Sequence, residues 1–393
     1  MYINSDNRIA TYMNKEKCGA IVLGGHVQAL GIVRAIGRMG YPVVVVEDTK
    51  KNIARHSKYC VQDFVVGNRE LSHFITYLSK NADYHGWVIF PTNDYHVELL
   101  SRNADRLNGI LNTTDSWDII EKCYNKKLTY SIASSVEIPV PETYYPLDAD
   151  DALECVRKIG YPLIIKPAIM HTFYKVFKKK VFKCYNDSEF LSYYDHAINV
   201  IPKNEILIQE IIPGDSSNQY SVGVLYDRDH SLVTLTARRK RQHPIDFGNA
   251  TTFAETVNIP ELKEYADRIL STIKYKGICE VEYKYDHRDD KYKLLEINAR
   301  TWKWHSIAEK AGTPFIETYF NMLTGQNYTE HLKWKDSSWQ HVTTDIPVII
   351  NMILRGYSTR NSKYPKVHAV IDKNDPLPFI YELAYLPFLV KNR

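Results

Sequence analysis

Residues 277–300 read GICEVEYKYDHRDDKYKLLEINAR. Two runs of β-branched, aromatic and aliphatic residues flank the polar stretch DHRDD, so the segment predicts an antiparallel β-hairpin. Alternate residues of a strand face the same side, which pairs Glu280 with Glu282 on one strand and Glu296 with Asn298 on the other. A hairpin can set Glu282 opposite Glu296, aiming two carboxylates and an amide oxygen at one point. Hard oxygen ligands of this kind suit Mg²⁺, which usually shares its coordination with substrate phosphates. The plain alternative is an exposed hairpin face with opposed charges. LLEINAR speaks against it, because an apolar strand that turns acids inward is costly without a cation.

Working outward, the neighbouring segments predict more strands with helices between them. QYSVGVLYD (219–227) and SLVTLTARRKRQ (231–242) form a hairpin about Asp227 to His230, and PELKEYADRILSTI (260–273) is an amphipathic helix. NEILIQEIIPG (204–214) is a strand running into a turn. YPLIIKPA (161–168) is a buried strand ending in Lys166, whose ammonium would face a ligand phosphate rather than bulk water. Upstream, DADDALECVRKIG (148–160) is a helix stopped by Gly160, EIPVPETYYP (137–146) an extended connector, and WDIIEKCYNKKLTYSIASSV (117–136) a helix that carries Lys126. On its own Lys126 reads as a solvated charge. VFKKKVFKC (176–184) has the alternation of a basic strand.

The first third of the chain has a different texture. CGAIVLGG (18–25), HVQALGIVRAIGRMG (26–40) and YPVVVVED (41–48) make a strand, glycine turn, helix and strand, the βαβ unit of a parallel sheet. GWVIFPTND (86–94) adds a strand whose polar residues fall at the carboxyl edge, where open α/β sheets place ligands. Residues 1–117 thus predict a small doubly wound domain. Its glycine turn lacks full GxGxxG spacing, so nicotinamide or flavin binding is poorly supported even though Glu47 and Asp48 end the second strand.

Composition narrows the functional classes. The chain has 393 residues, 44% hydrophobic and 24% charged, which rules out wholesale disorder and leaves room for two or three domains. Fifty basic against 46 acidic residues give a net charge of +4, too small for a basic nucleic-acid face, and the 29 tyrosines are scattered. The six cysteines show no close pair, so free thiols in a reducing compartment are expected rather than disulfides or a metal cluster. MYINSDNRIATYMNKEK lacks the apolar core of a signal peptide, and the longest aliphatic stretch, Val43 to Val46, is far too short to span a bilayer. These features predict a soluble cytoplasmic protein with no nucleic-acid partner and no transmembrane segment.

Lysine, strand lysine, QEIIPG, then paired acids with Asn and Arg is an ordered set. With NKKLTY, YPLIIKPA, IQEIIPGDSSNQYS, RRKRQHPIDFGNATTFAET and YKYDHRDDKYKLLEINARTWKWHS, the run from Lys126 to Gly325 resembles the ATP-grasp superfamily. Within it the chain is most similar to the predicted ATP-dependent carboligases, or carboxylate–amine ligases, which include relatives of D-aspartate ligase. The resemblance implies an α/β pre-grasp domain over 1–117, an ATP-grasp amino-terminal lobe and lid over 118–204, a carboxy-terminal lobe with the magnesium site over 205–328, and an extension over 329–393. The two grasp lobes would be α+β subdomains.

It also implies ATP and Mg²⁺ (or Mn²⁺) as cofactors, with small carboxylate and amine substrates. Lys126 and Lys166 would contact the nucleotide phosphates. The segment Gln209, Glu210 to Ile212 would line adenine through its backbone, and Asp215 would meet the ribose. Glu282, Glu296 and Asn298 would hold magnesium, and Arg300 would stabilise the transferring phosphoryl group. Two departures stand out. MHTFYKVFKKKVFK (170–183) has no glycine where many relatives carry a glycine-rich cover, leaving Lys178 to Lys180 to supply positive charge or to be solvated. The usual Asn-Pro-Arg reads Asn298-Ala299-Arg300.

In RRKRQHP, Arg238 and Arg241 are expected to alternate onto one strand face and hold an acyl phosphate or acidic substrate; a nucleic-acid patch is the alternative, without a second basic cluster to join. The implied reaction activates a carboxylate as an acyl phosphate and joins it to an amine. Rival readings are a non-catalytic nucleotide-binding protein of this fold and a ligase that forms a thioester or carboxylates its substrate. A homodimer is possible. The apolar tail DPLPFIYELAYLPFLVKNR (375–393) is expected to pack on the grasp domain, with a membrane surface as the alternative.

Overall fold

The computed structural model describes residues 18–245, 250–359 and 361–391. Its first unit is a five-stranded parallel sheet in the order β3-β2-β1-β4-β5, with strands β1 (Ala20–Leu23), β2 (Val43–Glu47), β3 (Cys60–Val65), β4 (Val88–Pro91) and β5 (Leu111–Asn112). Helices α1 (Val27–Arg38), α2 (Leu71–Lys80) and α3 (Asp94–Arg102) connect them. Strand alternation explains the layering. Ala20, Val22, Val43 and Val45 face Leu30 and Val33 of α1, whereas Ile21, Val44 and Val46 face Phe74 and Leu78 of α2. Strand order reverses between β1 and β4, the place where doubly wound sheets open a crevice.

Two helices follow, α4 (Trp117–Tyr124) and α5 (Lys126–Ser135), where the sequence reads as one. Asn125 breaks them: its backbone is extended, and its side chain caps α5 by accepting from the Lys127 amide at 3.0 Å. That break puts Lys126 at the first position of α5.

A four-stranded antiparallel sheet comes next, in the order β6-β9-β7-β8, from β6 (Thr143–Tyr144), β7 (Leu163–Pro167), β8 (Phe182–Cys184) and β9 (Ile206–Glu210). Helices α6 (Ala149–Ile159), α7 (Met170–Phe177) and α8 (Asp187–Ile198) accompany it. Two expectations shift here. Part of the segment read as a basic strand belongs to α7, and only its end, β8, is extended. The small sheet also runs to Glu210, past the boundary expected at residue 204, because β9 bonds to both β6 and β7.

The largest sheet has seven strands, β14-β13-β10-β11-β12-β15-β16. They are β10 (Gln219–Asp227), β11 (His230–His243), β12 (Ala250–Thr256), β13 (Lys276–Asp286), β14 (Lys291–Asn298), β15 (Ser338–Gln340) and β16 (Lys366–His368). Helix α9 (Pro260–Ile273) packs Leu262, Ala266 and Ile269 on one face, together with α4 and α5. The other face, with Leu225, Val233, Leu235 and Trp302, merges into the core of the first sheet. Helices α10 (Phe315–Leu323), α11 (Val342–Leu354) and α12 (Leu377–Lys391) complete the chain.

The carboxy-terminal region is therefore more than an appendage on the grasp domain. It contributes β15 and β16 to the large sheet, and Asp375 forms a buried 2.9 Å ion pair with Arg34 of α1. All six cysteines are free, and among the described residues no helix is long and apolar enough to cross a membrane.

Candidate active site

Two cavities meet at the β13–β14 hairpin, one of about 370 Å³ and one of about 200 Å³. Lys126, Lys180, Arg239, Glu282 and Glu296 line both. The smaller lies between the four-stranded and seven-stranded sheets, bordered by Lys166 of β7 and by Gln209 to Ile212 at the end of β9. The larger is bounded by the hairpin, by Gln28 of α1, and by Thr92, Asn93 and Asp94 just past or at the carboxyl end of β4. That is the polar edge expected to face a ligand.

The hairpin register sets Glu282 directly against Glu296 and Glu280 against Asn298. Asn298 donates to Glu282 Oε1 at 2.9 Å and to Glu280 Oε2 at 3.2 Å. The second oxygen of Glu282 meets Arg239 at 3.1 Å. Glu296 lies 3.3 Å from Lys126 Nζ. Burial pushes the Glu296 carboxyl up, but Lys126, Lys180 and Lys166 outweigh it and hold the group well below the usual carboxylate range. For Glu280, burial and then the charge of Glu282 act together and raise its pKa far above that range. Its Oε1 has no hydrogen-bond partner among the described residues. Arg300 bridges two units, donating to Asn298 Oδ1 at 3.1 Å and to Asp94 Oδ1 at 2.6 Å.

Alternation along β7 buries Leu163 and Ile165 in the small-sheet core and turns Ile164 and Lys166 to the cavity. Lys166 Nζ donates to the Tyr130 hydroxyl at 2.9 Å. Burial, reinforced by the charge of Lys126, lowers the Lys166 pKa to about 7. Gln209 donates to Thr143 Oγ1 at 2.7 Å, and Glu210 is held by Lys293 at 2.9 Å and by Arg288, so its carboxylate is already committed. The Ile212 carbonyl accepts from Lys284 Nζ at 2.7 Å, which fixes the turn at the cavity rim.

Among the described residues, no set of three or more His, Cys, Asp or Glu side chains forms a ready metal site. A magnesium ion carried by phosphates needs less: one or two carboxylates complete its shell. Glu282 and Glu296, face to face with oxygen-only chemistry and Asn298 beside them, fit that requirement.

Three residues expected at the site lie elsewhere. Arg241 is 1% exposed and pairs with Asp345 through bonds of 2.8 and 2.6 Å, its guanidinium 4.2 Å from the Phe253 ring centroid. Arg238 donates to the Ser217 carbonyl at 2.6 Å and borders neither cavity. Residues 238 and 241 are three apart, so a regular strand turns them to opposite faces, and the β11–β12 register slips on either side of Arg241. The arginine that reaches the site is Arg239, bonded to Glu282 and, at 2.6 Å, to Gln219. Asp215 is the third. It caps the turn by accepting from the Ser217 amide at 2.8 Å and lines a neighbouring cavity of about 170 Å³ that shares Gln219 and Lys284 with the one of about 200 Å³.

Sequence reasoning also passed over Lys284, the pairing of Asp94 with Arg300, and the placement of Glu280. For Glu280 the signal was present, since it shares a strand face with Glu282. Asp94 and Arg300 are 206 positions apart, and no local pattern joins them.

The family model described as "Carbamoyl-phosphate synthase L chain, ATP binding domain" matches residues 125–331. A D-aspartate ligase of Enterococcus faecium is 25% identical over 234 residues, 57% of this chain and 55% of that protein. The match thus spans about half the length of that relative. Two solved structures share the fold. One is the biotin carboxylase domain of the Hydrogenobacter thermophilus 2-oxoglutarate carboxylase, with TM-score 0.66 at 15% identity over 80% of this chain and 72% of that one. The other is N5-carboxyaminoimidazole synthetase from Staphylococcus aureus, solved with ADP, with TM-score 0.65 at 15% identity over 88% and 91%.

Proposed function

We propose that this chain, which belongs to the family of the carbamoyl-phosphate synthase L chain ATP-binding domain, is an ATP-dependent ligase that joins a carboxylate to an amine. The observation that carries the reading is the shared wall: five charged side chains line both cavities, so a nucleotide in the smaller one presents its phosphates to a substrate in the larger. A carboxylate is a poor acyl donor until its oxygen becomes a leaving group. Its oxygen attacks the terminal phosphorus of ATP, the bond to the β-phosphate oxygen breaks, and ADP leaves. The amine nitrogen then attacks the carbonyl carbon, the bond to phosphate breaks, and the amine loses a proton.

In this reading Lys126, Lys166 and Lys180 bind the polyphosphate, and the backbone from Gln209 to Ile212 faces the base. Arg300 and Arg239 border the substrate cavity, where their guanidinium groups match a carboxylate or acyl phosphate. Glu282, Glu296 and Asn298 would hold magnesium or manganese, which supplies charge neutralisation at the phosphates. Trp302, packed where a Cβ on Gly223 would come within 2.2 Å of its ring, gives the cavity a rigid aromatic wall. Six free thiols fit a reducing compartment, and we place the reaction in the cytoplasm.

The test is release of ADP and phosphate with paired amino acids and small carboxylates, D-aspartate among the first, and mass spectrometry of the product. An amide is expected. A thioester or a carboxylated amine would move the assignment to another bond type, and no ADP with any pair would favour a binding protein.

A pH dependence follows from Lys166. With its pKa near 7 in the free protein, the group is largely neutral at pH 8, while a polyphosphate beside it favours the ammonium form. Nucleotide binding above pH 7 should therefore take up a proton, and affinity should fall as pH rises through that value. Calorimetry at pH 8 in two buffers of different ionisation enthalpy reads this directly. Uptake approaching one proton is expected, removed by Lys166→Met; identical heats in both buffers would refute it.

A further inference from the structure

Helices α11 and α12 are apolar on the side away from the protein as well as on the side that packs. Inward, α11 buries Val348 and Asp345, and α12 buries Glu382 beside His341. Outward, Ile346, Ile350, Ile353 and Leu354 of α11 recur at helical spacing with exposures from 49% to 82%, and Ile380 and Leu383 of α12 are 56% and 45% exposed. Surface leucines are ordinary singly; this many on two adjoining helices are not.

The charges around them are sorted. Residues 342–393 hold seven Lys and Arg against four acids. Three of those acids, Asp345, Asp375 and Glu382, are at most 3% exposed, and the fourth, Asp372, pairs with Arg38. Acids are thus consumed internally while Lys363 and Lys373 stay exposed. Lys51, also exposed, rests 4.4 Å from the ring centroid of Phe388 on α12. Exposed apolar residues on a segment with an excess of cations, whose acids are taken up internally, match the interface of a bilayer carrying anionic headgroups. A second copy matches it less well, because a two-fold contact sets the same patch against itself and brings like charges together.

We propose that the outward faces of α11 and α12 seat the protein on an anionic membrane surface, with the apolar side chains in the headgroup boundary and the flanking lysines on lipid phosphates. The inference is independent of the ligase reading. The experiment is co-sedimentation of the full chain with vesicles of phosphatidylglycerol and phosphatidylcholine, against phosphatidylcholine alone. Binding to the anionic vesicles is expected, weakened by salt and reduced at least about tenfold by the double variant Ile350→Asp with Ile380→Asp. Both positions are exposed, so thermal unfolding and ADP release should be unchanged in that variant. No pelleting with anionic vesicles, or equal pelleting with neutral ones, would overturn the proposal. So would a dimer in solution that the double variant dissociates, which would make a second copy the occupant.

Discussion

Replacing Glu296 with alanine should abolish ADP release, lowering turnover by at least about a hundredfold, as expected when a group organising charge at a phosphoryl transfer is removed. Glu296 is the carboxylate nearest the lysines: 3.3 Å from Lys126, and held ionised by Lys126, Lys180 and Lys166 against the opposing effect of burial. Without it Lys126, Lys180 and Lys166 lose the anion they share, and half of the carboxylate pair that completes a magnesium shell is gone. The defect should therefore show in turnover and in magnesium dependence together. Glu296→Gln, which keeps the shape and drops the charge, should fail nearly as badly. Chelating the metal from the wild-type protein should reproduce the loss, and added magnesium should reverse it. Undiminished turnover in Glu296→Ala would show that the hairpin carboxylates are not the metal site.

The second large effect is on stability. Arg241→Ala should destabilise the fold by about 3–5 kcal/mol, the usual result of stripping the partner from a buried charge. Asp345 is fully buried and receives Arg241 at 2.6 and 2.8 Å, Thr252 at 2.8 Å and Gln340 at 2.7 Å. The two hydrogen-bond donors that remain cannot neutralise the carboxylate. A fall in melting temperature on the order of ten degrees is expected. The double variant Arg241→Met with Asp345→Leu should recover most of it, since neither charge is then left alone. Scanning calorimetry separates this from a catalytic role. An unchanged melting temperature with turnover down a hundredfold would return Arg241 to the chemistry.

Arg241 also shows where sequence reading stopped. The hairpin at 277–300 was legible because it is local: two strands joined by a short turn have few registers, and period-two alternation decides which side chains share a face. Alternation alone puts Glu280 with Glu282 and Glu296 with Asn298 on shared faces; a register slip between Glu282 and Tyr283 then sets Glu282 against Glu296 and Glu280 against Asn298. The same logic placed Lys166 on an apolar strand with its neighbours turned away, and it anticipated the polar edge Thr92 to Asp94 after β4. On β11 alternation itself separates Arg238 from Arg241, which are three apart, and the irregular pairing with β12 on either side of Arg241 further parts it from Arg239, the arginine that reaches the site. An irregularity of that kind leaves little mark in composition, because each residue of RRKRQ is equally polar. Asp215 failed for a related reason, its carboxylate closing its own turn instead of reaching into the cavity between the sheets.

From the chain alone came the parallel start of the first sheet, the hairpins at 219–242 and 277–300, and the acids and asparagine that share a strand face, all properties of short segments with regular apolar spacing. Tertiary structure decided the rest. It brought Asp94 to Arg300 across 206 positions, drew β15 and β16 into the large sheet, sealed Asp375 against Arg34, and used Asp345 to take Arg241 into the core. These pairings depend on which surfaces meet when whole sheets pack. A buried charge accepts whichever opposite charge that packing brings within reach, and spacing along the chain does not encode it.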